Sequence, residues 1–554
     1  MPELGDEHKF ALAIAAKATA LYPPFDSPSV LPWWTSLGSV WLQVLCERLS
    51  IQTDHLPDEP SVEGARGLSS SFSDAYHPEV ASILLTSTLL APSSIAKDTS
   101  KPVSLLQKAN PFSNSTPSKS KADSEATPQF AYNASTRAFI ARTLDILDIS
   151  YRHLLAAEVI LSHELYEKFK EAELKSRGEA IRKEKEDGWG GSWGRWAATA
   201  GGVTLGGVVI GLTGGLAAPA LLPLLPFLSA GTAPIILGSV LGLAGGGLTG
   251  YRVRRRWGGV EKFEFVELLG PGEGEGGEDV KQIEAKKAPS VIAAMLIPGI
   301  QVKSVDESLD SSKQCRDLFA PYHQDLYVVS HSPEVMLTTG KTLHGWVMSQ
   351  LYSKAGAEIL KRTAFNAVMA AVAMPLTIYK TTGMVVDNQW VQGTDKARKA
   401  GLLLAEVLRE KVHGTRPVIL IGSSLGAMAL FEALLSLATT SSTSGSSDPE
   451  PPLVDTAIFI SLPQAPTRAQ WKAVRGVVGR RVVNAYCKSD FVLAGVGRLH
   501  EVLGGGHLGG IGGLAATPKD IVGIENIDLE GVLDGHFDIS EKMPVILERI
   551  GMDR

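Results

Sequence analysis

An α/β fold with a mostly parallel sheet is what the C-terminal half of the chain predicts, and three observations carry the expectation. Strand-like apolar runs alternate with helical patterns from Glu261 onward, which is the signature of a parallel sheet with crossover helices. The run Pro417-Val-Ile-Leu-Ile ends in Gly422-Ser423-Ser424-Leu425-Gly426, and an Ala-rich helical pattern leads out. Two later strand-like runs end in turns bearing Asp490 and His536. Strand, sharp G-x-S-x-G turn and helix are the surroundings of a nucleophile elbow. The expected architecture is therefore an α/β-hydrolase fold over residues 258–554, preceded by an all-α N-terminal region and a glycine-rich hydrophobic helical hairpin.

Each element of the α/β region has its own warrant. Phe263-Glu-Phe-Val-Glu-Leu-Leu alternates like a half-buried strand. The acidic run 270–279 is rich in glycine, but no buried strand leads into it and no helix follows, so it reads as a loop and not a phosphate cradle. Val291–Ile297 is a buried strand closed by Pro298-Gly299-Ile300, and Leu326–Val329 is another. Helical patterns follow at 340–360 and 392–412. The uncharged run 363–379 contains Pro375 and is short for a span; a helix buried beside the sheet is expected, with a membrane-dipping lid as the alternative. The elbow helix runs to Leu437, and 439–452 is a Ser/Gly/Pro linker. A strand at 456–461, a helix at 467–478, a strand at 481–486, a Gly-rich flap at 504–513, a strand at 524–529 and a helix at 540–550 complete the chain.

A chain of 554 residues is too long for one simple core, and the N-terminal part divides by composition. Residues 1–91 read as helices with Trp33, Trp34 and Trp41 as packing residues. Residues 92–133 are Ser-, Lys- and Pro-rich with few apolar side chains, and are expected to be a disordered insertion. Across 134–195 one long amphipathic, coiled-coil-like helix is expected, because Ile140, Leu144, Leu147, Tyr151 and Leu154 step by four and three. Both helical regions are candidate surfaces for a protein partner.

Residues 196–251 contain no Asp, Glu, Lys or Arg. A spanning helix needs about 20 apolar residues, so two would fit. Pro219, Pro223, Pro226 and Pro234 mark the turn of a hairpin, and glycines recur at four-residue steps in both arms, as at Gly207, Gly211 and Gly215. Arg182, Lys183, Lys185 and Arg195 precede the run and Arg252, Arg254, Arg255 and Arg256 follow it, which orients both ends to the cytosol. The expectation is an intracellular membrane protein with a multi-pass hairpin and a cytosolic catalytic region. Gly and Ala drive insertion poorly, so a hairpin buried in the protein or lying in the interface is the alternative.

The totals exclude several classes. A net charge of −6 gives no support to nucleic-acid binding. Cys46, Cys315 and Cys487 lie far apart, with neither a disulfide framework nor metal-ligand spacing. No cofactor is implied. The first residues lack a positive region followed by an apolar core, so no cleaved signal peptide is expected.

A serine hydroxyl is a weak nucleophile unless a base takes its proton and a carboxylate orients that base. In this fold the chain order is Ser, then Asp or Glu, then His, each after a strand. Ser424, Asp490 and His536 meet that order. His500 and His507 are rival bases, and Asp534 and Asp538 rival acids. The oxyanion hole would use the amide of Leu425 and a second amide from the Pro298-Gly299-Ile300 loop. Proline has no N–H, so Gly299 or Ile300 must donate. Gly422 and Gly426 supply the tight elbow.

The hairpin, the L-I-G-S-S-L-G-A elbow, R-V-V-N-A-Y-C-K-S-D and E-N-I-D-L…G-H-F-D together resemble the eukaryotic transmembrane and coiled-coil domain-containing protein four family. That group consists of membrane-bound α/β-hydrolases of largely undefined substrate. The resemblance runs from about residue 134 to the end and implies a triad of Ser424, Asp490 and His536. Relatives there carry Gly-Trp in place of Gly299-Ile300 and Trp-Glu in place of Ser330-His331. Both departures touch the expected pocket, so no substrate is carried across. The expected function is a membrane-associated serine hydrolase cleaving an acyl ester, most simply a lipid. The alternatives are a catalytically silent hydrolase-fold scaffold in membrane trafficking, and a hairpin that itself remodels membranes.

Overall fold

A computed structural model describes residues 3–25, 30–89, 132–187, 262–268, 290–319, 324–354, 376–443, 451–494 and 511–552. The hairpin at 196–251, the acidic run at 270–279, nearly all of the insertion at 92–133, most of the uncharged run and of the 504–513 flap, and half of the linker lie outside the described residues. Among the described residues no helix is long and apolar enough to cross a membrane.

Seven strands form one sheet: β1 (Phe263–Glu267), β2 (Ala293–Ile297), β3 (Asp325–His331), β4 (Val418–Ser423), β5 (Val454–Ile460), β6 (Val478–Tyr486) and β7 (Glu525–Asp528), in the order β1-β3-β2-β4-β5-β6-β7. β1 runs antiparallel to β3, and every other neighbouring pair is parallel. The chain is thus a mixed α/β protein with a mostly parallel sheet. The central strands are buried on both faces, which explains their continuous apolar runs. Side chains alternate between the faces. Ala294, Leu296, Ile419, Ile421, Ile458 and Ile460 enter one core, and Ala293, Met295, Val418, Leu420, Ala457 and Phe459 enter the other.

Helices α1 (Asp6–Leu21), α2 (Leu31–Leu49), α3 (His77–Ser87), α4 (Ala134–Ile146) and α5 (Arg152–Asp187) pack on the first face. The second face carries α6 (Pro333–Lys354), α7 (Leu376–Arg409), α8 (Leu425–Thr443) and α9 (Arg468–Gly476). The C-terminal helix α10 (Ile539–Ile550) returns to the first face. The N-terminal helices therefore share one core with the sheet. Trp33, Trp34 and Trp41 gather around Phe139 of α4, with ring centroids 4.8–6.3 Å apart. Trp34 Nε1 donates to the Thr19 carbonyl and Trp33 Nε1 to that of Gly476, so these two tryptophans are packing residues with their polar atoms satisfied, whereas Trp41 Nε1 is buried without a partner among the described residues.

Among the described residues, the single long helix expected over 134–195 is two helices. Asp148 adopts a left-handed φ of 56°, and the Ile149 amide returns to the Leu144 carbonyl at 2.9 Å, closing α4. The seam residues Ile140, Leu144, Leu147 and Leu154 are buried against the sheet side of this protein and not along a partner helix. A repeat of apolar residues cannot distinguish those two destinations. α7 starts at Leu376 and not near 392, and α8 continues past Leu437 to Thr443, into the expected linker.

Candidate active site

β4 is the fourth of seven strands in the sheet order. At its end Ser424 has a φ of 55°, a left-handed conformation that costs a non-glycine residue energy and is kept where the surroundings enforce it. The enforcement is visible. The Ser424 amide donates to the Ile460 carbonyl of β5 at 2.9 Å, and the Ser424 carbonyl accepts from Ala427 and Met428 to start α8. A Cβ on Gly422 would lie 2.7 Å from the Ala427 Cα, and one on Gly426 would run into the Ile297 carbonyl oxygen. The two elbow glycines let strand and helix touch.

His536 follows β7 in a short 3-10 turn, His536–Asp538. Gly535 before it abuts Phe491, where a Cβ would sit 2.6 Å from the ring. Asp490 follows β6. The structure brings the three together: Ser424 Oγ lies 2.6 Å from His536 Nε2, and His536 Nδ1 lies 2.7 Å from Asp490 Oδ2. The Leu493 amide donates to Asp490 Oδ1 at 3.1 Å, so both carboxylate oxygens are held. Relative exposures are 3% for Ser424, 2% for His536 and 0% for Asp490. A carboxylate oxygen accepts, so Nδ1 carries the proton, and the Nε2 lone pair faces the serine hydroxyl. This arrangement can take a proton from Ser424 and return it to a leaving group.

Of the rival acids, Asp538 lies in the same short turn as His536. Asp534 reaches Lys542 at 2.9 Å on the surface, and His500 and His507 lie outside the described residues. The loop after β2 lies against the elbow: a Cβ on Gly299 would be 2.5 Å from the Leu425 nitrogen. Leu425 opens α8 and has no carbonyl one helical turn back to bond. The amides of Gly299 and Ile300 have no acceptor among the described residues, whereas that of Gln301 donates to the Met336 carbonyl at 3.3 Å.

A small cleft with a mostly polar exposed lining lies over Ser424 and His536, bordered also by Ile300, Val302, Phe537 and Ile539. Glu307 also lines it; its Oε2 accepts from the Val302 and Lys303 amides at 2.6 Å each. Sequence reasoning missed Glu307, which sits in no recognisable motif; it placed His331 at the pocket only as a departure from the family pattern, without its contact to the Pro298 loop. Cys487 is buried three residues before Asp490, and that burial pushes its thiol up, away from the reactive thiolate. Among the described residues no group of three or more His, Cys, Asp or Glu could hold a metal ion.

Comparison with known proteins adds a family. The model of a family described as "Protein of unknown function (DUF726)" matches residues 193–553, well over half the chain. The chain belongs to the DUF726 family. The match takes in every residue of the Ser424 site. Among curated relatives, the chain is 29% identical over 449 residues to "Transmembrane and coiled-coil domain-containing protein STS1" of Oryza sativa subsp. japonica, covering 76% of this chain and 61% of the relative. It is 28% identical over 356 residues to "Uncharacterized membrane protein F35D11.3" of Caenorhabditis elegans, covering 64% and 50%. It is 30% identical over 232 residues to "Probable lipase MIL1" of Saccharomyces cerevisiae, covering 42% and 20%. The chain thus spans between a fifth and about three-fifths of the length of these relatives. No solved structure matches it.

Proposed function

We propose that this DUF726 chain is a serine hydrolase that cleaves an acyl ester, most simply a lipid ester, through Ser424, His536 and Asp490. One observation carries the reading: an unbroken hydrogen-bond chain, 2.6 Å and then 2.7 Å, from a serine in a left-handed turn through a histidine to a buried aspartate. The strand order, with its antiparallel first strand and the serine turn at the centre, supports an α/β-hydrolase fold. Ser424 Oγ attacks the ester carbonyl while His536 Nε2 takes its proton. Asp490 holds the ring and stabilises the imidazolium. The amide of Leu425, with that of Gly299 or Ile300, takes the negative charge of the tetrahedral oxygen. His536 then protonates the departing alcohol, leaving an acyl ester on Ser424. Water, deprotonated by His536, attacks that ester and releases the acid and the free serine.

The lipid assignment draws on the relative named a probable lipase and on the uncharged run at 196–251 with basic flanks. In this reading that run anchors the chain to an intracellular membrane, with residues 258–554 on the cytosolic side. The rice relative's name supports the narrower grouping with the transmembrane and coiled-coil domain-containing protein four family. An alkyl fluorophosphonate tests the chemistry. The full chain should be labelled and Ser424→Ala should not; folded wild-type protein that takes no label would sink the reading.

A further inference from the structure

His331 closes β3 and lies behind the Pro298-Gly299-Ile300 loop that ends β2. It is 3% exposed, and its Nε2 lies 3.2 Å from the Pro298 carbonyl oxygen. A carbonyl oxygen only accepts, so Nε2 carries the proton and donates. Burial lowers the ring's pKa to about 4, against the raising effect of the Pro298 carbonyl, so the ring is neutral near pH 7. Among the described residues its buried Nδ1 has no hydrogen-bond partner, which makes the bond to Pro298 the ring's one polar anchor there.

The segment that follows grips the other end of the loop. The Met336 carbonyl accepts from the Gln301 amide at 3.3 Å, and Gly340 packs so closely on Gln301 that a Cβ there would run into its carbonyl oxygen. Between the two anchors lie the amides of Gly299 and Ile300 alone. A trans peptide group is planar, so holding the Pro298 oxygen fixes the Gly299 N–H in the opposite direction. It also limits the swing of the next peptide, which glycine's loose dihedrals would otherwise allow. The hydrogen bond further polarises the same peptide and makes its N–H the better donor.

We propose that His331 is a positioning residue for the oxyanion loop: its Nε2–H holds the Pro298 carbonyl and thereby aims the Gly299 and Ile300 amides at the ester oxygen. This rests on the serine hydrolase reading. The test uses the full chain, an alkyl fluorophosphonate and p-nitrophenyl butyrate, with His331→Phe (bulk without a donor) and His331→Gln (a donor without the ring). Labelling rate and kcat should fall about 10- to 100-fold in His331→Phe, less than the loss of an oxyanion donor itself, with KM little changed and His331→Gln recovering most of the loss. A His331→Phe protein with wild-type thermal stability, labelling rate and kcat overturns the inference alone. So does a folded His331→Gln as slow as His331→Phe. If His331→Phe does not fold, His331→Met against His331→Gln decides by the same criteria. A wild-type chain that takes no label overturns the hydrolase reading and this inference with it.

Discussion

Arg137 and Asp455 meet at 2.7 Å with both side chains fully buried, although 318 positions separate them. Arg137 sits on α4 and Asp455 on β5, so the pair ties the N-terminal helices to the sheet that carries the elbow. Arg137 Nε also reaches Glu158 Oε1 of α5 at 2.8 Å, and the Tyr132 hydroxyl bonds the same carboxylate. Arg480 stands 3.4 Å from Asp455 as a second cation. Removing one member of such a buried set leaves charges unpaired and costs about 3–5 kcal/mol. Arg137→Met should therefore lower the free energy of unfolding by about that amount, read by urea unfolding. Burial alone would raise the Asp455 carboxyl, but the Arg137 and Arg480 guanidiniums outweigh it and hold its pKa below the ordinary value. A depressed carboxylate stabilises the fold above the unfolded value, about 3.9, and that contribution is lost as pH falls through the folded one.

Asp490→Asn tests the orienting role separately from the nucleophile. An amide in place of Oδ2 can donate to His536 Nδ1, which would move the ring's proton to Nε2 and turn it against the serine. Turnover of p-nitrophenyl butyrate should drop about 10⁴-fold with the fold intact. A folded variant retaining more than a tenth of wild-type kcat would exclude Asp490 from the mechanism.

The elbow and the order of Asp490 and His536 were legible because each needs a local signature: glycines where backbones crowd, and an acid and a base after successive strands. The geometry brings those three residues within hydrogen-bond reach, and Ser424 has the strained, left-handed φ that an elbow at this turn implies, with β5 and α8 enforcing it. The role of α1–α5 was not legible. Amphipathic helices look alike whether they cover a sheet, a partner or each other, and Arg137 reads as a surface charge until Asp455 is found opposite it. The break at Asp148 was hidden for the same reason, since the apolar seam runs through it without a change of phase. Glu307 became visible only when the fold brought it beside the loop, and so did the contact of His331 with Pro298, although the sequence already puts Ser330-His331 at the pocket.

Gly299 and Gly426 should separate stability from chemistry. A Cβ at Gly426 meets the backbone of β2, which cannot move without disturbing the sheet centre, so Gly426→Ala should cost about 1–3 kcal/mol or more. A Cβ at Gly299 meets the Leu425 amide and Ser424 Cβ at 2.5–2.7 Å. Gly299→Ala pushes the two sides of the expected oxyanion hole apart, and fluorophosphonate labelling should fall further than thermal stability does. Labelling at the wild-type rate would show that the Gly299 side of the loop has no part in the site.

Two buried histidines predict acid sensitivity well above the carboxylate range. Burial lowers His331 to about 4, and burial with the nearby charges of Arg416 and Lys411 lowers His413 to about 3. On acidification the unfolded chain takes up these protons first, near pH 6.5, while the folded chain refuses them. Stability is therefore full above about pH 6.5 and declines toward pH 4, at up to roughly 1.4 kcal/mol per pH unit for each ring. Urea midpoints measured between pH 7.5 and 4.5 should show that slope, and His413→Leu should flatten it. An unchanged slope in the folded variant would remove His413 from the account.

The uncharged run at 196–251 makes its own prediction, independent of the site. Basic residues flank it on both sides, and no acidic or basic side chain interrupts it. An inserted hairpin of this kind resists extraction by carbonate, whereas a chain held by surface charge is released by salt or alkali. Full-length protein should stay in the carbonate-resistant pellet, and a chain lacking 196–251 should leave it. If the shortened protein still reacts with fluorophosphonate at Ser424, the run supplies location and not chemistry. Loss of esterase activity on membrane-dispersed esters, with soluble p-nitrophenyl butyrate still turned over, would then tie the substrate to the bilayer. A shortened chain that stays carbonate-resistant would place the anchor elsewhere.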